Sequence, residues 1–323
     1  MILVTGGEGY IGSHIVKQLL DRGEEVVTID NFSTHENNVN FHFNLHFNCF
    51  DMKYKRQIKM IFDHYDITEV IHLAGLSSVE ESIKEPIKYY QNNVISTINL
   101  LEIMENHNVD KIVFSSSASV YGNVDYLNSL YTIPITEKEK PKPINPYGET
   151  KLIIENMIKY QPNLKYVGFR YFNVAGALDN GDLGEHRKNE THLIPLLLKA
   201  IKNDAVFTIF GDNYNTKDGT CIRDYVSVID IARAHILALD YLRKDNKSEI
   251  FNLGTKNGYS VKEIVENASK VLKKDVKIKI GEPRKGDSYY LVANADKAKK
   301  ILGWTPQYDL NQIIKSTWNS LNW

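Results

Sequence analysis

Cysteine is nearly absent: Cys49 and Cys221 are the two in 323 residues, they lie far apart, and they make neither a CxxC motif nor a disulfide framework. That excludes a stapled secreted mini-domain and suits a reducing cytoplasm, the expected location. Charge imbalance is absent too. Lys and Arg number 39 against 40 Asp and Glu, a net charge of -1, which argues against a nucleic acid or an anionic membrane as the main partner. No apolar run approaches the roughly 20 residues that span a bilayer, and the first residues already read as a strand, so neither a membrane helix nor a signal peptide is expected. Low-complexity extensions are missing as far as Trp323. The sequon Asn246-Lys247-Ser248 then reads as surface polarity alone. What remains is an ordinary globular composition, 42% hydrophobic and 24% charged, with enough chain for one large or two modest domains.

Against these absences the N-terminus is dense with signal. Ile2 to Thr5 is a short apolar run leading directly into GGEGYIGSH, and a periodic segment from Ile11 to Arg22 follows before Gly23. This predicts a strand, a glycine loop, a helix and a helix-ending glycine. Gly6, Gly9 and Gly12 stand in GxxGxxG spacing, which lets the backbone turn tightly and approach a diphosphate at the helix N-terminus. A second strand, Glu25 to Ile29, ends at Asp30, whose carboxylate can accept hydrogen bonds from an adenosine ribose and would repel a 2'-phosphate. NAD is therefore expected rather than NADP, although Asp30 could instead cap the next turn. His35, His42 and His46 alternate with Phe41, Phe43 and Phe47 without a completing acid or cysteine, so a loop into a third strand ending near Asp51 is expected and no metal.

Further along, Glu69 to Leu73 predicts a fourth strand, AGLSSVEES a loop at the sheet's carboxyl edge, Tyr89 to Asn106 a long helix with Val94, Ile98, Leu101 and Met104 or Glu105 marking its period, and Lys111 to Phe114 a fifth strand. Adjacent Glu80 and Glu81 do not face each other on a helix or turn and read as solvated. The fifth strand runs into SSSASVYG, which places Ser117 as a candidate hydroxyl, and a charged, proline-bearing segment between Gly122 and Asn145 reads as a loop or lid. Then comes NPYGETK, Asn145 to Lys151. If this stretch opens a helix, Tyr147 and Lys151 share one face a turn apart. A tyrosine ionises near pH 10, so a neutral-pH phenolate base needs a drop of about 3 units, or roughly 4 kcal/mol, to which a fixed ammonium contributes.

TGGEGYIGSH, Asp30, HLAGL, SSSASVYG, Tyr147 with Lys151, RYFNVAGA and IRDYVSV, in that order, together resemble the extended short-chain dehydrogenase/reductases, and within them the branch that epimerises UDP-hexoses at C4. The likeness spans the chain from Ile2 to LGWTP. It implies an α/β fold, a Rossmann-type doubly wound parallel sheet with a smaller α/β substrate-binding domain. It also implies interleaved domains: 1–173 plus about 224–254 for NAD, and about 174–223 plus 255–323 for the UDP-sugar. In such proteins the serine and tyrosine contact the sugar 4-hydroxyl while the lysine holds the cofactor ribose, roles that carry over to Ser117, Tyr147 and Lys151. The implied NAD contacts are Gly6, Gly9, Tyr10, Ile11, Gly12, Asp30, Asn31, Asp51, Met52, Leu73, Ala74, Gly75, Asn92, Ser115, Tyr147, Lys151 and Phe172. Ser77 stands where relatives often carry a lysine, which removes one cofactor contact, and Ser227 where they often carry a histidine.

For the substrate, the resemblance implies Asn173, His192, Leu193, Phe210, Arg223, Arg284, Asp287 and Leu291, besides Ser117 and Tyr147. Arg223 has an independent physical use, because its planar fork can clamp a diphosphate, the competing reading being an ion pair with Asp224. Leu291 takes the position of a bulky tyrosine in some relatives, unless the alignment slips by one and Tyr290 is the contact. UDP-N-acetylhexosamines or a uronic UDP-sugar are then alternative substrates. Dehydratase and decarboxylase relatives carry an acid just after the catalytic hydroxyl, where this chain has Ala118 and Ser119. A non-catalytic NAD-sensing module would typically lose Tyr147 or Lys151, and both are present. Such relatives are usually homodimers, and one is expected here.

Overall fold

The computed structural model describes residues 1–35, 42–123, 134–284 and 288–321. The chain divides into two compact units: Met1–Val120, Pro143–Arg170 and Ala232–Phe251 form the first, and Tyr121–Lys142, Tyr171–Ile231 and Asn252–Trp323 the second. This division and the sequence-based one both cross near residues 171–173 and 251–254, and they differ most at 121–142. That segment groups with the second unit because Ile135 N donates to Val292 O, Asn294 N donates to Ile135 O, and the Asn252 amide donates to Ile135 O while accepting from Tyr121.

The first unit is built on a seven-stranded sheet. Its strands are β1 (Ile2–Thr5), β2 (Val26–Asp30), β3 (Leu45–Cys49), β4 (Glu69–His72), β5 (Lys111–Ser115), β6 (Lys165–Tyr171) and β10 (Glu249–Leu253), in the order β10-β6-β5-β4-β1-β2-β3. Neighbours from β6 through β3 pair in parallel. Every residue of β1, β2 and β4 is buried, as expected where helices cover both faces of a parallel sheet. Strand β3 ends at Cys49, two residues before the expected Asp51, because Asp51 accepts from Lys53 N and opens a turn instead. Helix α1 (Tyr10–Asp21) buries Ile15, Val16 and Leu19 and stops at Arg22, with Gly23 in the left-handed region at φ +77°. Helix α2 (Lys55–His64) buries Ile58, Ile61 and Phe62.

Two expectations change here. The stretch after β4 is not all loop: Ser78 accepts from Glu81 N and caps a short helix α3, Val79–Lys84. Glu80 pairs with Lys84 at the surface, but Glu81 also accepts from the buried Tyr89 hydroxyl at 2.9 Å, so it is not merely solvated. The long helix starts earlier, at Pro86, and carries a π-helical stretch: α4 (Pro86–Tyr89), the π segment Tyr90–Ile95, then α5 (Ser96–Asn106). The wide turn re-phases the helix. The buried face runs through Tyr89, Asn93, Thr97, Leu100, Ile103 and Met104, leaving Ile98 exposed where simple 3.6-residue spacing had it packed.

Helix α6 (Pro146–Tyr160) starts as the motif predicts, with the Asn145 side chain accepting from Gly148 N at 2.8 Å and Pro146 in the first turn.

In the second unit, β9 (Ile222–Ser227) pairs in parallel with β7 (Asn173–Ala175) and β13 (Tyr290–Leu291) and antiparallel with β11 (Gly258–Ser260). Strands β8 (Phe207–Phe210) and β12 (Ile278–Gly281) form a separate parallel pair. Helices α7 (Leu193–Lys202), α9 (Val261–Leu272) and α11 (Leu310–Ser320) supply Leu197, Leu198, Ile264, Ile313 and Ile314 to its core. Helix α8 (Val228–Asp245) contributes Asp230, whose carboxylate accepts from Gln307 N and Tyr308 N. Its carbonyl accepts from the buried Trp304 indole, so the LGWTP segment after α10 (Asp296–Leu302) is held by side-chain chemistry rather than by a strand. Among the described residues no helix is long and apolar enough to cross a membrane.

Candidate active site

The glycine loop leaves the carboxyl end of β1 and enters α1. A Cβ on Gly12 would lie 2.0 Å from Gly6 O, and one on Gly6, at φ +68°, 2.9 Å from Ala74 N. The loop is therefore folded tightly on itself and against the strand end that carries Leu73, Ala74 and Gly75. Gly9, Tyr10 and Ile11 continue it into the first turn of α1. Asp30, at the end of β2, accepts from Glu8 N at 3.2 Å and from Phe32 N at 2.9 Å. Its carboxylate is thus fixed beside the loop, and the bond from Phe32 N is the turn cap that the alternative reading of Asp30 expects. Asn31 follows at the surface, accepting from Ser33 N, and buried Met52 lies next to Asp51. This cradle fits a dinucleotide: only glycine leaves the backbone amides accessible, and the acid sits one strand over.

The three histidines considered for a metal go separate ways. His35 Nε2 lies 3.7 Å from Asp30 Oδ1, the His42 ring stacks on Phe43, and His46 packs on Tyr65. Among the described residues Glu185, Glu190 and His192 are the side chains whose ligand atoms come within 4.8 Å of one another, and Arg187 already donates to Glu185 there.

Tyr147 and Lys151 lie on one face of α6, with Lys151 Nζ 6.0 Å from the Tyr147 ring centroid and 5.1 Å from that of Phe114. Both are buried. Lys151 Nζ donates to Ser115 O at 2.7 Å, and burial pushes its ammonium down to about 8 against the opposing pull of the Glu155 carboxylate. It remains mostly charged at neutral pH. Gly148 explains how α6 comes so near the serine turn: a Cβ there would sit 2.5 Å from Ser119 O. Ser117, just before the short 3₁₀ turn Ala118–Val120, accepts from Ser119 N at 3.1 Å.

One residue before Lys151, Thr150 donates to Tyr147 O, and the Asn93 amide donates to Thr150 and bridges Leu76 N and O. Neighbouring Asn92 donates to Asn93 Oδ1. His72 completes this polar seam. Thr97 donates to Asn93 O, so its oxygen accepts from His72 Nε2, while Nδ1 accepts from Thr5. Burial, and then the Lys151 charge, push the imidazole down to about 3, so it is neutral.

In the second unit, Arg223 on β9 is in register with Leu291 on β13, so the two share a face. Asp224 turns to the opposite face. Its buried carboxylate accepts from Thr255 N and Oγ1, Lys256 N and Ala293 N, and burial pushes it up to about 6. Tyr290 is buried with Ile222 and Val292. Leu291, not Tyr290, therefore lies alongside Arg223. Asn173 is exposed at the start of β7, and Phe172, just before it, is buried with its N–H on Leu253 O. His192 immediately precedes α7 and Leu193, with Nδ1 2.7 Å from Glu185 Oε1. The Arg284 guanidinium lies 4.1 Å over the ring of the exposed Phe210. Asp287 lies outside the described residues.

Comparison with known proteins gives the family. The profile of the NAD dependent epimerase/dehydratase family matches residues 2–254. The chain belongs to this family. It is 46% identical to the UDP-glucose 4-epimerase of Halalkalibacterium halodurans over 98% of this chain and 94% of that one. A crystal structure of a UDP-glucose 4-epimerase superposes with a TM-score of 0.92 at 44% identity, covering 99% of this chain and 96% of the other. The Bifidobacterium longum UDP-glucose 4-epimerase, solved with NAD+ and UDP, superposes with a TM-score of 0.90 at 35% identity, covering 99% and 97%.

Several residues around Lys151 have no counterpart among the candidates read from the sequence. Ser116 and Arg170 bind Glu155 on the lysine's helix, and Asn93, Thr97 and His72 link that helix to Thr5 at the end of β1. One signal was available: Glu155 stands four residues beyond Lys151, on the same helical face.

Proposed function

We propose that the protein is an NAD-dependent isomerase that interconverts UDP-glucose and UDP-galactose at C4. The observation that carries this reading is Tyr147 beside a buried, charged Lys151, pinned to the carbonyl of Ser115 at the carboxyl edge of a glycine-looped parallel sheet. Its relatives named UDP-glucose 4-epimerases supply the substrate class.

The glycine loop, Asp30 and the strand ends after β4 and β5 would hold the dinucleotide. Bound NAD supplies a reversible hydride acceptor. Tyr147 takes the proton of the sugar 4-hydroxyl, directly or through Ser117, as the C4–H bond breaks, and the 4-keto sugar nucleotide results. The Lys151 ammonium favours the phenolate that accepts this proton. Reversal on the other face of the keto sugar requires a firmly held diphosphate and a loosely held hexose. Asn173, Arg223 and Arg284 suit the first need, since guanidinium forks grip phosphate oxygens strongly. Redox change over the cycle is nil, so the cofactor stays bound. Ala118 and Ser119, in place of an acid, leave nothing there to drive an elimination.

The test is to incubate purified protein, without added cofactor, with UDP-galactose and follow the sugar nucleotides by proton NMR. The 4-epimer is expected. A 4-keto or decarboxylated product, or silence even after NAD is added, overturns the reading.

A second reading concerns breadth. Because Leu291 lies in register beside Arg223, we infer that a leucine faces the sugar where a tyrosine would fill space, and that UDP-N-acetylhexosamines are accepted too. Leu291→Tyr should lower the rate on UDP-N-acetylgalactosamine relative to UDP-galactose by roughly 5- to 150-fold, the cost of about 1–3 kcal/mol of overpacking. Unchanged relative rates remove the idea. We further propose a homodimer through the helix from Pro86 to Asn106 and α6, where Ile87, Ile95, Ile98 and Tyr160 are exposed. Light scattering at the monomer mass would rule it out. The two free cysteines, Cys49 and Cys221, support a cytoplasmic setting, which cell fractionation tests.

A further inference from the structure

The proposed chemistry uses Tyr147 and Lys151 but leaves unexplained a buried ion pair one helical turn away. Glu155, on α6, and Arg170, on β6, are both buried and bonded through two contacts, Nε to Oε1 at 2.9 Å and Nη2 to Oε2 at 2.7 Å. The Ser116 hydroxyl donates to the same Oε1. A buried bidentate pair alone is weak evidence for anything beyond packing, because desolvation offsets much of its attraction. Its neighbours make it specific. Ser116 follows Ser115, whose carbonyl takes the lysine ammonium, and precedes Ser117. Glu155 follows Lys151 by four residues on the same helix. Two consecutive residues, the last of β5 and the first beyond it, thus grip two consecutive turns of α6, one through Lys151 and the other through Glu155.

We infer that Glu155 is a positioning residue for Lys151, its carboxylate held by Arg170 and Ser116 so that α6 keeps register on the end of β5 and a fixed negative charge stays one turn from the ammonium. This rests on the Tyr147–Lys151 reading of catalysis. Among the described residues, these titratable groups stand around Lys151. Tyr147 and Glu155 share its helix, Arg170 stands on β6 behind Glu155, and neutral His72 lies on β4, while β5 offers only the Ser115 carbonyl and the Phe114 ring. Glu155 is the anion among them. Desolvation drives Lys151 toward the neutral amine and Glu155 opposes it. With the carboxylate gone, the ammonium is lost at a lower pH. Tyr147 and Lys151 then titrate as a coupled pair whose active form, phenolate with ammonium, covers a narrower pH range.

The experiment measures kcat and KM for UDP-galactose with the purified holoenzyme from about pH 5.5 to about pH 9.5, in wild type, Glu155→Gln, Glu155→Asp, Ser116→Ala and Lys151→Met. Because Glu155→Gln strands Arg170, the double variant Glu155→Gln/Arg170→Gln, which buries no lone charge, is measured beside it. The inference predicts that Glu155→Gln and the double variant move the alkaline limb of kcat toward acid by about one unit, a tenfold change in the lysine's ionisation constant, with KM within about twofold. Glu155→Asp, which keeps the charge on a shorter arm, leaves the limb in place while lowering kcat. Ser116→Ala lowers kcat several-fold with full NAD content, as expected for one lost hydrogen bond to a charged group. An unmoved alkaline limb in the folded double variant overturns the inference and makes Glu155 a packing residue. Lys151→Met separates this from the underlying reading: if that variant stays active, it is the Tyr147–Lys151 chemistry that fails.

Discussion

Lys151 and Arg284 are both cations assigned to a ligand, one in each unit, and they are held in opposite ways. Lys151 is buried, donates to a backbone carbonyl at 2.7 Å, and sits on a helix whose neighbouring turns are fastened through Thr150 and Glu155. Arg284 is exposed on a loop and rests on the face of an equally exposed Phe210. The difference follows from what each does. A group that must bias a proton transfer needs its position and dielectric fixed before substrate arrives, since reorganising it would add to the barrier. A group that grips a charged ligand can be ordered by the ligand itself, at the cost of some affinity.

The largest test of the fixed side is Tyr147→Phe. It removes the proton acceptor and leaves the ring packing against Leu76 and Tyr89. Turnover should fall by about 10³-fold, within the range usual for a general acid–base group. NAD content and folding should be preserved, read by absorbance of the denatured protein and by thermal melting. A variant with near-normal turnover would show that the ordered seam around α6 serves stability alone.

The second unit has one rigid point of its own, which sharpens the comparison. Glu185 is buried. Burial would raise its carboxyl, but His192 and then Arg187 outweigh this and hold it down at about 2. A carboxyl depressed on folding stabilises the fold above its unfolded value near 4.5, and that contribution is lost as pH falls from there through 2. The interval corresponds to about 3 kcal/mol. Glu185→Gln should therefore be destabilised by up to about 3 kcal/mol at neutral pH in urea unfolding. Its deficit should shrink below pH 4.5. A deficit equal at every pH would mean that packing, not charge, holds His192 at the start of α7.

This contrast also explains what the sequence could and could not reveal. The sheet was legible because strands such as β1 and β2 are short, largely apolar runs bounded by glycine and aspartate, and the start of α6 because Asn145 and Pro146 each have a local reason to be there. The π segment was not, because an extra residue in a helical turn leaves a pattern of spacing no template anticipates. It shifted the buried face of that helix from Ile98 to Thr97 and Leu100. The fastening of the lysine's helix was hidden for another reason: Arg170 and Ser116 meet Glu155 across 15 and 39 positions of chain, and local periodicity carries no information at that range. Tyr147 and Lys151, four positions apart on one helix, were readable, whereas Glu155, whose partners lie on β6 and beyond β5, was not.

The smallest expected effect belongs to the loose side. Replacing Phe210 with leucine keeps an apolar side chain on β8 but removes the aromatic face on which Arg284 rests. Cation–π contacts at exposed sites contribute about 0.5–1 kcal/mol, so Phe210→Leu should raise KM for the UDP-sugar about two- to fivefold. Because Arg284 is proposed to act on the diphosphate and not on the reacting carbon, kcat should be unchanged, as for a group that contributes equally in ground and transition states. A loss confined to kcat would mean that Arg284 needs the same prior fixing as Lys151, and the division between an ordered reacting centre and an adaptable grip would not hold.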